Sequence, residues 1–490
     1  MLERILMWVV FLAGIALLAR SHAAVGAPMG FDEARHLLNR TSFAAGPDDI
    51  KRFAQLTRAQ AVDQLLASTT TRAKTPPPEW ASSFESPRRL RAMSEEERKA
   101  FQREQFEKGV DLRAWWMTEM LTTPSPLTEK MVLFWHNHFV SSLQKVRSPV
   151  LMYRQNQLLR RHALGYFGDL LHAVARDPAM VIYLDSASNR KGRPNENFAR
   201  EVMELFTLGE GNYREQDIKE AARAFTGWSI DPDTGEFLLR PMIHDDGEKT
   251  VLGRSGNLDG DAVLDILLAQ PQTAEFIVAK LWREFVSPAP DPAEVRRIAR
   301  MFRDNRYNIQ VALRALLTSD AFYAPQNRAA LIKSPIELIV GTLREFRFET
   351  GEPLPFLFVS RELGQDLFAP PNVKGWPGGD AWINSATLLR RKQLLERLFR
   401  AQEMRQPPVM ARDEDKAKGA GRITDGKERL ARAMQDINFD ADRWLAQFPP
   451  GDTHLTRVVL ATDPVNPPEA GAQGLDMLRQ LVLDPAYQLK

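Results

Sequence analysis

Apolar positions recur at helical spacing along most of this chain, and alternation is confined to one short stretch. Residues 32–39 suit a helix, and two further helical segments reach Leu66. A Thr/Pro run at 69–78 interrupts them. Ser94, with Glu97 three residues on, is a capping-box pattern opening a long helix that reaches about Leu121. Its first part, EEERKAFQREQFEK, is laced with charge and reads as solvated, whereas LRAWWMTEML is apolar enough to enter the core. Ser125-Pro126 restarts a helix leading into FWHNHF at 134–139. The helical pattern continues over 148–184 and resumes at Asp261, Pro271, Pro292 and Ile309. Residues 235–253 alternate into an Asp246-Gly247 turn and out again, which predicts a β-hairpin. Residues 369–386, rich in Pro and Gly, read as a structured loop.

The expected fold is mainly α: a large multi-helix domain with one small β-hairpin. The main helical domain should cover 24–404, a charged flexible linker or insertion 405–430, and a C-terminal helical segment packing on the main domain 431–490. Residues 1–23 read as a signal peptide: Arg4, an apolar run over 5–19, then small residues suited to cleavage after Ala23. An uncleaved anchor is the alternative, but the run is shorter than the roughly 20 residues that a bilayer requires. No later stretch is apolar enough to span a membrane, so an exported soluble protein, periplasmic or secreted, is expected.

Charge and composition remove whole classes of partner and site. Lys plus Arg is 65 and Asp plus Glu 63, a formal net charge of +2, which gives no electrostatic reason to expect nucleic acid. With no cysteine, disulfides, iron–sulfur clusters and thiolate zinc are excluded, and any metal must be held by nitrogen and oxygen.

The candidate chemistry lies in three places. A helix from Pro194 to just before Gly209 should bury Phe198, Val202 and Leu205, with Met203 and Phe206 beside them, leaving Asn197, Arg200, Glu201 and Glu204 on the other face. Glu201 and Glu204, at i and i+3, are either a solvated face satisfied by Arg200 and Arg223 or, in a closed site, carboxylates demanding a cation or a shared proton. A second helix repeats the theme with Asp217, Glu220 and Arg223. His136 and His138 are an H-x-H pair, separated by roughly 200° on a regular helix. His138 aligns with Leu127, Met131 and Phe134 and reads as a core histidine, so His136 is the better ligand. His244 and Asp245 stand beside the expected turn. A divalent metal (Zn, Mn or Fe) could be held by His136, Glu201, Glu204, His244 and Asp245, with Glu201 or Glu204 left to act as general base. Trp376 and Trp382 either offer a face to a sugar or peptide or plug the end of a helical bundle. No phosphate-binding loop, dinucleotide fingerprint or nucleophile elbow is apparent.

Six ordered blocks carry a resemblance: ARHLLNRTSFAAGPDDI, PLTEKMVLFWHNHFV, PNENFAREVMELFTLGEGNYREQDIKEAARAFTGW, HDDGEKTVLG, KSPIEL and PPNVKGWPGGDAWINSATLLRR. Together they resemble the bacterial domain-of-unknown-function 1800 family over nearly all of the chain after residue 33. The resemblance implies an exported, largely helical protein, often accompanied by a sulfatase-like partner, with no established catalytic residues to carry over. Two departures are Arg214, where the pattern usually has a small hydroxyl residue, and Phe43-Ala44 in the opening block. Two functions follow. One is a scaffold or accessory protein whose polar helices form an arginine–carboxylate network; the alternative is a metal-dependent hydrolase of an envelope or extracellular polymer. Carboxylates converging on histidines at an open cleft would favour the hydrolase. Carboxylates facing buried arginines would favour the network, and Glu204→Ala would then be severely destabilising.

Overall fold

The computed structural model describes residues 26–400, 433, 436–448 and 454–490. The expected signal segment 1–23 and linker 405–430 lie outside the described residues. Helix α1 (Glu95–Thr122) opens with the expected capping box: Ser94 Oγ accepts from the Glu97 amide at 3.2 Å, and the Glu97 carboxylate accepts from the Ser94 amide at 2.7 Å. Leu112, Trp115, Trp116, Met117 and Met120 in its second half are buried, whereas the charge-laced half meets solvent.

Against α1 pack α2 (Pro126–His138) and α3 (Pro149–His162). Almost every side of α2 is covered, so two charged residues are carried into the core. Glu129 is met there by Arg160 of α3 in a two-pronged ion pair at 2.6 and 2.8 Å. The Trp116 indole donates to the same carboxylate at 2.9 Å, and Arg160 also donates to Asn156 at 2.7 Å. Lys130, the next residue, is ion-paired with Glu337.

The helix expected from Pro194 forms as α4 (Asn197–Glu201) and then widens into a π-helical turn, Val202–Thr207, closed by the Leu208 amide donating to Met203 O at 2.8 Å. The extra residue per turn rotates the register. Leu205, expected in the buried stripe, is only half-buried, while Phe206 and Thr207 are buried. Helix α5 (Glu215–Ala224) follows. Arg214 offers no acceptor to cap it, and Asp217 compensates by accepting from the Arg214 amide at 2.9 Å.

The single expected hairpin is two. Strands β1 (Trp228–Ile230) and β2 (Phe237–Leu239) pair antiparallel, as do β3 (Lys249–Val251) and β4 (Arg254–Gly256). The tight turn falls at Leu252-Gly253, both at positive φ (47° and 79°), the two-residue turn whose twist matches paired strands. Asp246-Gly247 instead lies between the hairpins, after a short 3₁₀ turn at Pro241–Ile243. Helices α6 (Pro271–Phe285) and α7 (Pro335–Glu345) complete the body, with α6 packed on the π turn and α7 on α1. The described C-terminal residues lie on this body: the Trp444 indole donates to Glu345 O at 2.9 Å, and the Lys490 amide to Leu331 O at 2.8 Å.

Among the described residues no single helix is long and apolar enough to cross a membrane; Gly260–Ala269 and α6 reach that composition only together, across a 74° bend.

Candidate functional site

The polar residues singled out in the sequence divide into three separate groups. In the first, burial raises the Glu201 carboxyl and the neighbouring Glu204 charge adds to the effect. Glu204 accepts from the Tyr213 hydroxyl at 2.6 Å, and among the described residues neither carboxylate forms an ion pair. Asn197 sits at the start of the same helix, its amide 3.4 Å from Asp185 Oδ2. Arg200 turns away to Glu215, at 2.8 and 2.9 Å, and to Glu196 at 3.2 Å.

The second group joins α5 to the hairpins. Arg223 donates to Asp245 at 2.8 and 3.2 Å and to Glu220 at 2.8 Å. The Arg223 hydrogen bond holds the Asp245 carboxyl down at about 2. Asp217 accepts from the Leu252 amide at 2.8 Å, and His244 Nδ1 lies 2.8 Å from Thr226 O. In the third group, His136 is enclosed by the rings of Trp116, Phe368 and Trp376 at 5.3–5.7 Å, and burial lowers it to about 3.

The expected metal set therefore does not assemble. His136 faces an aromatic cage, Asp245 is taken by Arg223, His244 is held by Thr226, and Glu201 and Glu204 stand apart from all three. Among the described residues no three His, Asp or Glu side chains gather so as to hold a metal ion. The expected loss on Glu204→Ala is likewise corrected, because no arginine depends on Glu204. That variant should cost only about 1 kcal/mol in urea unfolding, the value of one partly exposed hydrogen bond.

Three of the six sequence blocks, those at 126–140, 333–338 and 370–391, meet elsewhere, around a cavity of about 410 Å³ between α2, α6, the start of α7 and the tryptophan loop. Asn137 fixes the loop: its Oδ1 accepts from the Trp376 amide at 2.7 Å, and its Nδ2 lies 3.4 Å from Trp376 O. Gly375 sits at φ +84°, and a Cβ there would lie 2.7 Å from the Asn137 carbonyl oxygen. Gly375→Ala is expected to lose about 1–3 kcal/mol in urea unfolding, from strain and crowding together. Trp376 and Trp382 are 4% and 6% exposed, so they plug the bundle and offer no open stacking face.

Lys280 of α6 points its ammonium at this junction. Nζ donates to His138 Nδ1 at 2.9 Å and to Leu205 O at 3.2 Å. His138 Nε2 lies 3.2 Å from Phe206 O, which can only accept, so Nε2 carries the proton and Nδ1 is free to accept from Lys280. Both carbonyls belong to the π turn, where the helical hydrogen-bond pattern is broken. No carboxylate lies within ion-pairing distance of Lys280 among the described residues. Burial, and then Arg283 one turn on, lower its amine to about 8. At the other end of the cavity Lys130 and Lys490 share Glu337. Burial opposes the Glu337 charge, but the two ammoniums outweigh it and hold its carboxyl far below the usual range. Five cations (Lys130, Lys280, Arg283, Lys374, Lys490) line the cavity against two carboxylates, Glu284 and Glu337. Since Lys374 is matched by Glu210, the charge left uncompensated among the described residues sits on Lys280 and Arg283.

Neither of those two residues was singled out from the sequence. The available signal was faint: a lysine inside the apolar run FIVAKLWREF, with an arginine at i+3. No curated protein and no solved structure matches this chain. A sequence profile of a protein family does match, over residues 36–489, nearly the whole length. The chain belongs to that family, the proteins of unknown function DUF1800.

Proposed function

We propose that this is an exported accessory protein whose cleft binds a small anionic ligand. The observation that carries the reading is Lys280, a cation in the cavity wall with no carboxylate partner among the described residues. A desolvated charge without a counter-ion is costly to keep, and an anion entering the cavity removes that cost. Arg283 adds a second unmatched charge, and a guanidinium suits a carboxylate or phosphate group. The cavity volume is in the range of small-molecule sites. Export rests on the residue order at positions 1–23. A sulfatase-like partner is expected from the resemblance. The metal-dependent hydrolase has no comparable support, because its intended ligands lie in separate groups.

The test is calorimetric titration at neutral pH with malonate, phosphate and the uncharged analogue malonamide. The two anions should bind with one site per chain, and malonamide should give no heat of binding. Equal behaviour of malonate and malonamide, or no binding by either anion, overturns the reading.

A further inference from the structure

We propose that Lys280 also captures its ligand covalently and reversibly, by condensing with a ligand carbonyl to form an imine. The ligand class is then a small oxo acid: an anion bearing an aldehyde or keto group. This rests on the anion reading of the same cavity.

Four observations converge on Lys280 and on no other lysine of the cleft. Its ammonium lies in the cavity wall, accessible to a ligand and partly removed from water. A second cation, Arg283, stands one helical turn away, the arrangement that favours an unprotonated amine and so a nucleophilic lysine. Among the described residues no carboxylate stabilises its proton, whereas Lys130 and Lys490 are clamped by Glu337 and Lys374 by Glu210. Finally, the hydrogen-bond partners suit the product. An iminium nitrogen keeps one N–H, and the neutral Nδ1 of His138, nearer than Leu205 O, is placed to accept it.

The step balances without any co-reactant. Lys280 Nζ loses a proton to water and its lone pair attacks the carbonyl carbon, forming the C–N bond as the C=O π pair moves to oxygen. The attacking nitrogen, now positively charged, gives up a proton to water and that oxygen takes one up, leaving the neutral carbinolamine. The hydroxyl leaves as water with a second proton, and the nitrogen pair forms C=N. The sum is ammonium plus carbonyl giving iminium plus one water, so the positive charge is kept and still faces the ligand's anionic group at Arg283.

Glyoxylate with cyanoborohydride, near pH 7.5, fixes any imine as a stable secondary amine that peptide mass mapping can locate. Lys280 should be alkylated more than about tenfold faster than the exposed Lys51 and Lys99, since its lowered basicity leaves far more free amine. Malonate, which has no carbonyl, should slow labelling at Lys280 and leave Lys51 and Lys99 unaffected. Lys280→Arg should abolish the fast adduct while Lys51 and Lys99 react as in the wild type. Lys280 reacting no faster than Lys99, in a protein that binds malonate, overturns the imine and leaves the anion site standing. Fast labelling that malonate does not slow overturns the anion reading and, with it, the oxo-acid class.

Discussion

Glu129→Ala is expected to remove about 3–5 kcal/mol of folding stability, the range for breaking a buried ion pair from one side. Glu129 and Arg160 are 1% and 0% exposed, so deleting the carboxylate strands a guanidinium that water cannot reach. It also removes the acceptor of the Trp116 indole, leaving a second buried donor unmatched. Urea unfolding at neutral pH reads the loss. Replacing both partners with apolar residues of similar size should recover much of it, because the large cost lies in the unpaired charge more than in the pair itself. A loss below about 1 kcal/mol for the single variant would mean that Arg160 finds another partner or reaches water.

Lys280→Met is expected to weaken malonate binding by about ten- to a hundredfold, the effect of one charge-assisted hydrogen bond with a desolvated partner. Stability should move the other way. The amine is lowered from 10.5 to about 8 in the folded chain, so in that interval the unfolded chain binds the proton more tightly. Folding stability from this group therefore rises with pH between about 8 and 10.5, and below 8 the charged ammonium is a net cost. Methionine keeps the stem's packing and removes that cost, so the variant should melt at or above the wild-type temperature. Weaker binding together with higher stability separates a ligand-binding cation from a structural one. A variant that binds malonate as wild type does would place the anion elsewhere.

Much of the helical frame is legible in local residue patterns. The Ser94–Glu97 capping box and the division of α1 into solvated and buried halves follow from spacing alone. His138 is buried as its alignment with Leu127, Met131 and Phe134 suggests. The π turn was not legible, because ELFTLG satisfies an α-helical stripe equally well. Its cause is tertiary: the Leu205 and Phe206 carbonyls are used by Lys280 and His138, from helices 75 and 68 residues distant in sequence. The hairpin turn was misplaced because Asp246-Gly247 is the stronger local turn signal, whereas Leu252 takes positive φ only in the folded context.

The candidate site shows the same division. Sequence located the blocks FWHNHF, LFTLGEG and VKGWPGG, and all three border the cavity or anchor its walls. It did not locate the chemistry, since histidines and paired carboxylates drew attention while Lys280 looked like an ordinary helix residue. What makes Lys280 unusual is that no carboxylate among the described residues lies near it. That is a property of the assembled fold, which no residue spacing records.

The most direct measurement is malonate affinity as a function of pH from 7.5 to 9.5, where malonate itself is fully ionised. Of the groups around the cavity, His138 is held neutral by burial and then by Lys280, and Glu337 stays ionised. Lys490 is lowered too, chiefly by burial, but remains engaged with Glu337. Affinity should be flat below the Lys280 value of about 8 and then fall toward about a tenfold loss per pH unit, approaching that of Lys280→Met. Affinity that stays constant to pH 9.5, or that Lys280→Met reproduces across the whole range, would contradict the assignment of Lys280 as the anion-binding cation.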